Sequence, residues 1–121
     1  MSTLRLTTIA NQGNTASVPS ETVINGSAKA WVNFNGTGTV AIRASFNVSS
    51  ITDNGTGDYT VNFTTAMPDA SYAGMGAASD DGGYLSGRAD AFRLSSSFRV
   101  ATKTDAGVYA DYAGVYVAIF R

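Results

Sequence analysis

Asp80 and Asp81 stand side by side, and Asp53, Asp58 and Asp69 precede them. Two carboxylates facing one cleft are what glycoside hydrolysis requires, one as proton donor and the other as base or nucleophile. These aspartates lie among glycines and other turn-forming residues, where a short carboxylate ordinarily bonds its own backbone. No catalytic residue is expected, and the chain reads as non-enzymatic. The loop Asp53-Asn54-Gly55-Thr56-Gly57-Asp58 offers oxygens of the kind a calcium ion takes, but its acids and glycines do not follow the spacing of a calcium loop. A turn with no metal or cofactor is expected there. Asn25, Asn35, Asn47, Asn54 and Asn62 each open an Asn-x-Ser/Thr triplet. In a chain so rich in Asn, Ser and Thr, and beginning without the basic and apolar blocks of a signal peptide, chance accounts for them and no glycosylation is expected.

Cysteine and histidine are both absent. That removes disulfides, thiolate nucleophiles, zinc sites with soft ligands, and the side chain that most often acts as a base near neutral pH. The net charge is -1, with Lys and Arg scattered singly from Arg5 to Arg121. No basic stripe exists to follow a phosphate backbone, so nucleic acid is not an expected partner. No apolar run reaches the roughly 18 residues of a spanning helix, so membrane insertion is not expected either. Charged residues make up 14% of the chain, against roughly 25% in an ordinary domain. Short hydroxyl and amide side chains take their place. Such a surface loses little side-chain entropy when immobilised, which suits packing against a partner.

Aromatic residues are the remaining candidates for recognition. Trp31 with Tyr59, Tyr72, Tyr84, Tyr109, Tyr112 and Tyr116 could stack on a sugar ring or anchor an interface. Most belong to a core. Tyr84 in a glycine-rich loop, and Tyr109 and Tyr112 ahead of the last strand, are the ones expected at the surface against a partner.

At 121 residues the chain is a single domain by length. Residues 1–26 are polar apart from Leu4, Leu6 and Ile9, with a turn at Asn11-Gln12-Gly13-Asn14, and read as an extended arm ahead of a β domain at 27–121. From Thr39 to Val48, the residues Val40, Ile42, Ala44, Phe46 and Val48 alternate with others at period two, predicting a strand with one core face and one wet face. Ala30, Val32 and Phe34 alternate ahead of it across Asn35-Gly36-Thr37-Gly38, which predicts a hairpin. A second hairpin joins Ser49–Thr52 to Tyr59–Thr65, where Met67-Pro68-Asp69 stops the chain. A weak strand is expected through Tyr72–Ala78, and further strands near Ala89–Leu94 and Phe98–Lys103. The last strand, Gly114–Phe120, is apolar on both faces, with Val115, Val117 and Ile119 on one and Tyr116, Ala118 and Phe120 on the other. Burial on both sides implies a central strand or a face pressed into a neighbouring subunit. No amphipathic helix is expected. About seven strands at regular turn spacing argue for an all-β antiparallel β-sandwich, with a jelly-roll-like arrangement as the alternative.

The run from Lys29-Ala30-Trp31-Val32-Asn33-Phe34-Asn35-Gly36-Thr37-Gly38 to Arg43, continuing from Asn47 through Asp53-Asn54-Gly55-Thr56-Gly57-Asp58 to Phe63, resembles a segment widespread in tail-fibre-like and other virion-associated proteins of tailed bacteriophages, cyanophages among them. The resemblance covers roughly Val23 to Tyr72. It implies a β-structured module and the trimeric habit of phage fibres. The expected function is accordingly a non-enzymatic virion structural protein, a small homotrimeric surface appendage of the tail-fibre-like class made in the host cytoplasm. The alternative is a capsid decoration or cement protein bound to the major capsid protein. A third reading is a carbohydrate-binding adhesion module that touches a host surface glycan. Leu4, Leu6 and Ile9 in the arm, Tyr84, Tyr109 and Tyr112 in the loops, and Tyr116 and Phe120 on the last strand's second face are the expected partner contacts.

Overall fold

A computed structural model describes residues 1–79 and 83–121. In chain order the elements are β1 (Thr8–Ala10), β2 (Ser17–Pro19), α1 (Ser20–Gly26), β3 (Ala28–Asn35), β4 (Ala41–Phe46), β5 (Val48–Gly55), β6 (Asp58–Phe63), β7 (Ala73–Ala78) and β8 (Tyr84–Gly87). A short 3-10 turn at Asp90–Phe92 then leads to β9 (Arg93–Leu94), β10 (Ser97–Lys103) and β11 (Val115–Phe120). Among the described residues the body is a sandwich of two antiparallel sheets, one ordered β4-β3-β11-β7 and the other β5-β6-β10-β8, with β9 also pairing β10. The all-β sandwich expected from the alternation is the fold observed.

The core lies between the sheets. Ala30, Val32 and Phe34 of β3 and Val115, Val117 and Ile119 of β11 meet Tyr59, Val61 and Phe63 of β6 and Phe98 and Val100 of β10. Each fully buried large side chain contributes about 1.5–3 kcal/mol relative to exposure. Phe34 and Tyr59 cross the gap edge to face, with ring centroids 5.2 Å apart, and Tyr72 joins Phe63 and Phe98 at 5.8 Å each. Gly74 is required by this packing. It faces Phe98 so closely that a Cβ there would lie 2.6 Å from the ring, the close backbone approach that a glycine inside a strand marks.

Asn47 makes the turn from one sheet into the other. It adopts φ 55°, in the left-handed region, which Asn tolerates better than other side-chain-bearing residues. Its Nδ2 donates to the carbonyls of Lys29 and Thr65 at 3.0 Å each, and its Oδ1 accepts from the Thr65 N–H at 2.7 Å. The strand expected over Thr39–Val48 is therefore divided here. Its single core face is also overturned. A register shift opposite Asn33/Phe34 sets Ile42 across from Phe34, where it remains 37% exposed, while Ala44 and Phe46 pair with Asn33 and Trp31 on the outward side. An extra residue in one strand reverses the alternation beyond it, and the sequence of β4 gives no cue to it.

Three further expectations are corrected. The segment read as an extended arm folds back as the β1–β2 hairpin, closed by Asn11 Oδ1 accepting from the N–H groups of Thr15 at 2.9 Å and Ala16 at 3.2 Å. It then forms α1, whose seven residues are too few to display a helical period. The strand expected near Ala89–Leu94 is mostly the 3-10 turn, with only two residues pairing β10. Tyr84, placed in a loop from its glycine neighbours, begins β8 at a sheet edge. β11 lies between β3 and β7, as a central strand should.

Candidate interaction surfaces

The outward faces of the two sheets differ in chemistry. On the β4-β3-β11-β7 sheet, the pairing aligns Phe46, Trp31, Ala118 and Met75 in one row, and Ala44, Asn33, Tyr116 and Ala77 in the next. Phe46, Trp31 and Met75 remain 54%, 41% and 58% exposed. Between Trp31, Met75, Tyr116 and Ala118 lies a shallow apolar depression of about 430 Å³. At Asn33 and Tyr116 it adjoins a smaller hollow that reaches Arg43 and Ser79. The Arg43 guanidinium donates to Asn33 Oδ1 at 3.3 Å. None of the outward-facing residues of these four strands is acidic.

The outward face of the other sheet is polar and internally bonded. Asn62 Nδ2 donates to Ser50 Oγ at 3.1 Å and Thr52 Oγ1 at 2.9 Å, and Asn54 Nδ2 donates to Thr60 Oγ1 at 2.8 Å. Beyond that ladder, Arg99 grips Asp58 with two hydrogen bonds of 2.8 and 2.9 Å, and Arg88 approaches the same carboxylate at 3.7 Å. The Arg99 hydrogen bonds, with the charge of Arg88 added, hold the Asp58 carboxyl below its ordinary pKa. Arg99 also covers the Phe92 ring at 4.7 Å, and Ala101 beneath these side chains is fully buried. Asp53 closes its own turn by accepting from the Gly55 N–H at 3.0 Å. The two acids that bound the calcium-like loop are thus engaged in a turn and an ion pair. Among the described residues no three acids come close enough to share a metal. Asp80 and Asp81 lie outside the described residues.

The expected contact residues fall in three places. Leu4, Leu6 and Ile9 are exposed in the arm and, with Val23 and Ile24, line a hollow of about 420 Å³. Tyr84 and Tyr109 are exposed and stand on either side of the end of β10, both pairing with Lys103. The Lys103 ammonium and the Arg88 guanidinium lie 4.9 and 5.4 Å from the centre of the Tyr109 ring, and Arg88 also donates to its hydroxyl. Tyr116 is exposed and Phe120 half-buried on the apolar outward face. Tyr112, expected at the surface, is instead 8% exposed. It packs against Gly83, and its carbonyl accepts the Gly36 N–H at 2.9 Å, closing one end of the sandwich.

Trp31, Phe46 and Met75 fall outside the contacts expected from sequence alone. Trp31 carries the one available signal, since Ala30, Val32 and Phe34 on either side of it take the core face. Four of the five asparagines of the glycosylation-like triplets have structural work: Asn35 caps its turn through Thr37, Asn47 bridges the sheets, and Asn54 and Asn62 form the polar ladder. No helix among the described residues is long and apolar enough to cross a membrane. Comparisons with family models, curated proteins and solved structures return no match for this chain.

Proposed function

We propose that this chain is a non-enzymatic structural protein of a tailed-phage virion, a small trimeric surface appendage of the tail-fibre-like class. The observation that carries the reading is the chemical asymmetry of the sandwich. One outward face is an apolar sheet with Trp31, Phe46, Met75 and Tyr116 exposed, and the other is a hydrogen-bonded ladder of Ser, Thr and Asn beside paired charges. Large contiguous apolar patches on small proteins mark association sites. Three copies about an axis, each covering the apolar face of the next, would bury these faces and leave the polar faces outward, which also covers sheet edges. The resemblance of Lys29–Phe63 to phage virion modules points the same way.

Copy number per purified particle, measured by quantitative mass spectrometry against the major capsid protein, tests the reading. A small fraction of the capsid protein's copy number is expected of a tail appendage. A ratio close to that of the capsid protein would replace it with the capsid decoration reading, and absence from particles would overturn both. Light scattering of the purified chain should return three times the 12.5 kDa monomer mass.

A further inference from the structure

The arm presents a physical problem that the chain does not solve by itself. None of residues 1–26 is buried. A lone two-stranded hairpin is marginal in water, and helices shorter than about 12–15 residues are marginal too. Yet β1 and β2 are three residues each and α1 is seven. The arm's apolar side chains Leu4, Leu6, Val23 and Ile24 are exposed around their own hollow. The body meanwhile exposes Trp31, Phe46 and Met75 around a concave depression. Each surface lacks what the other offers.

Charge selects between them. The arm carries one acid, Glu21, at the rim of its apolar hollow, and one cation, Arg5. The outward face carries Arg43 and Lys29 and no acid. Lys29 is already held by the carbonyls of Ile24 and Ser27. Arg43, beside the apolar depression, has the Asn33 amide as partner and, among the described residues, no carboxylate.

We infer that the arm of one copy docks on the outward β4-β3-β11-β7 face of a second copy, placing Val23, Ile24 and Leu6 over the depression between Trp31 and Met75 and Glu21 against Arg43. The contact is heterologous, since the arm of each copy meets the face of the next, and such contacts close into a ring when the rotation allows. The inference deepens the trimeric reading above and rests on it for the closed ring.

The absence of native cysteine makes disulfide trapping clean. Full-length Ile24→Cys and Ala77→Cys proteins would be mixed, oxidised and mapped by peptide mass spectrometry, with the mass of the parent assembly measured in parallel. A 24–77 linkage between differently labelled copies of a trimeric protein is the expected result. Glu21→Lys should lower its yield several-fold, and adding Arg43→Glu to the Ala77→Cys partner should restore it. A trimer with no 24–77 linkage would overturn arm docking and leave the trimeric reading standing. A monomer would overturn both. Linkage of positions 24 and 77 within one chain of a double variant, at every concentration tested, would overturn exchange between copies.

Discussion

The Tyr59 hydroxyl lies 2.7 Å from Oδ1 of Asp111, although the two residues are 52 positions apart. The same Asp111 oxygen accepts the Gly57 N–H at 2.7 Å, and the Tyr59 hydroxyl also reaches the Gly36 carbonyl at 2.8 Å. One fully buried phenol thus ties the β3–β4 turn, the start of β6 and the segment leading to β11. Tyr59→Phe keeps the ring, takes the hydroxyl from the Gly36 carbonyl and leaves the Asp111 oxygen with the Gly57 N–H alone. It is expected to cost about 1–3 kcal/mol, read from urea denaturation, with the β circular dichroism unchanged. An unaltered midpoint would mean that the hydroxyl is not bonded in solution.

Alkali should unfold the protein through its buried phenols. Burial, first, raises the pKa of both Tyr59 and Tyr72, with the Asp111 carboxylate adding to it at Tyr59, and Tyr72 is pushed up to about 12. An unfolded chain ionises its tyrosines near pH 10. The folded chain therefore holds these protons more tightly, so their contribution to stability is complete below about pH 10 and is lost as pH rises toward the folded values. Phenolate absorbance and urea midpoints followed together should show a late group of tyrosines ionising with unfolding. All six ionising together near pH 10 in a protein still folded would contradict this.

Asn47→Gly and Asn47→Ala separate the backbone from the side chain at the corner between the sheets. Both lose the bonds to Lys29 and Thr65, and only Ala also meets the cost of the left-handed conformation. Glycine should destabilise by about 1–3 kcal/mol and alanine by about 1 kcal/mol more, measured by thermal and urea denaturation. Equal losses would remove the backbone argument.

Gly74→Ala places a methyl against the Phe98 ring. Overpacking of this kind costs about 1–3 kcal/mol. Adding Phe98→Leu should recover part of what Gly74→Ala costs, measured against Phe98→Leu alone. Additive losses in a double-mutant cycle would show that the two sites do not touch.

Trp31→Gln with Met75→Gln alters only exposed side chains of the apolar sheet face. Folding stability measured where the chain is monomeric should move within about 0.5 kcal/mol, while self-association in sedimentation velocity weakens strongly. A stable protein whose association is unchanged would show that this face is not used.

Alternation and turn chemistry, which act locally, were legible in the chain. The hairpins around Asn35–Gly38 and Asp53–Asp58, the inward sets Ala30/Val32/Phe34 and Val115/Val117/Ile119, and the stop at Met67-Pro68-Asp69 follow from side-chain period and from residues that tolerate a turn. Nothing local records which strands become neighbours, and the rest depended on that. The bulge before Phe34 is a mismatch between two strands and belongs to neither alone, yet it decides that Phe46 faces outward. The burial of Tyr112 depends on Gly83 and Gly36, both distant in sequence. The apolar face exists because β3, β4, β7 and β11 lie side by side, so that Trp31, Phe46, Met75 and Tyr116, ordinary singly, become one surface. A period-two pattern tells which residues share a side of a strand. Only the assembled sheet tells whether that side meets core, water or another molecule.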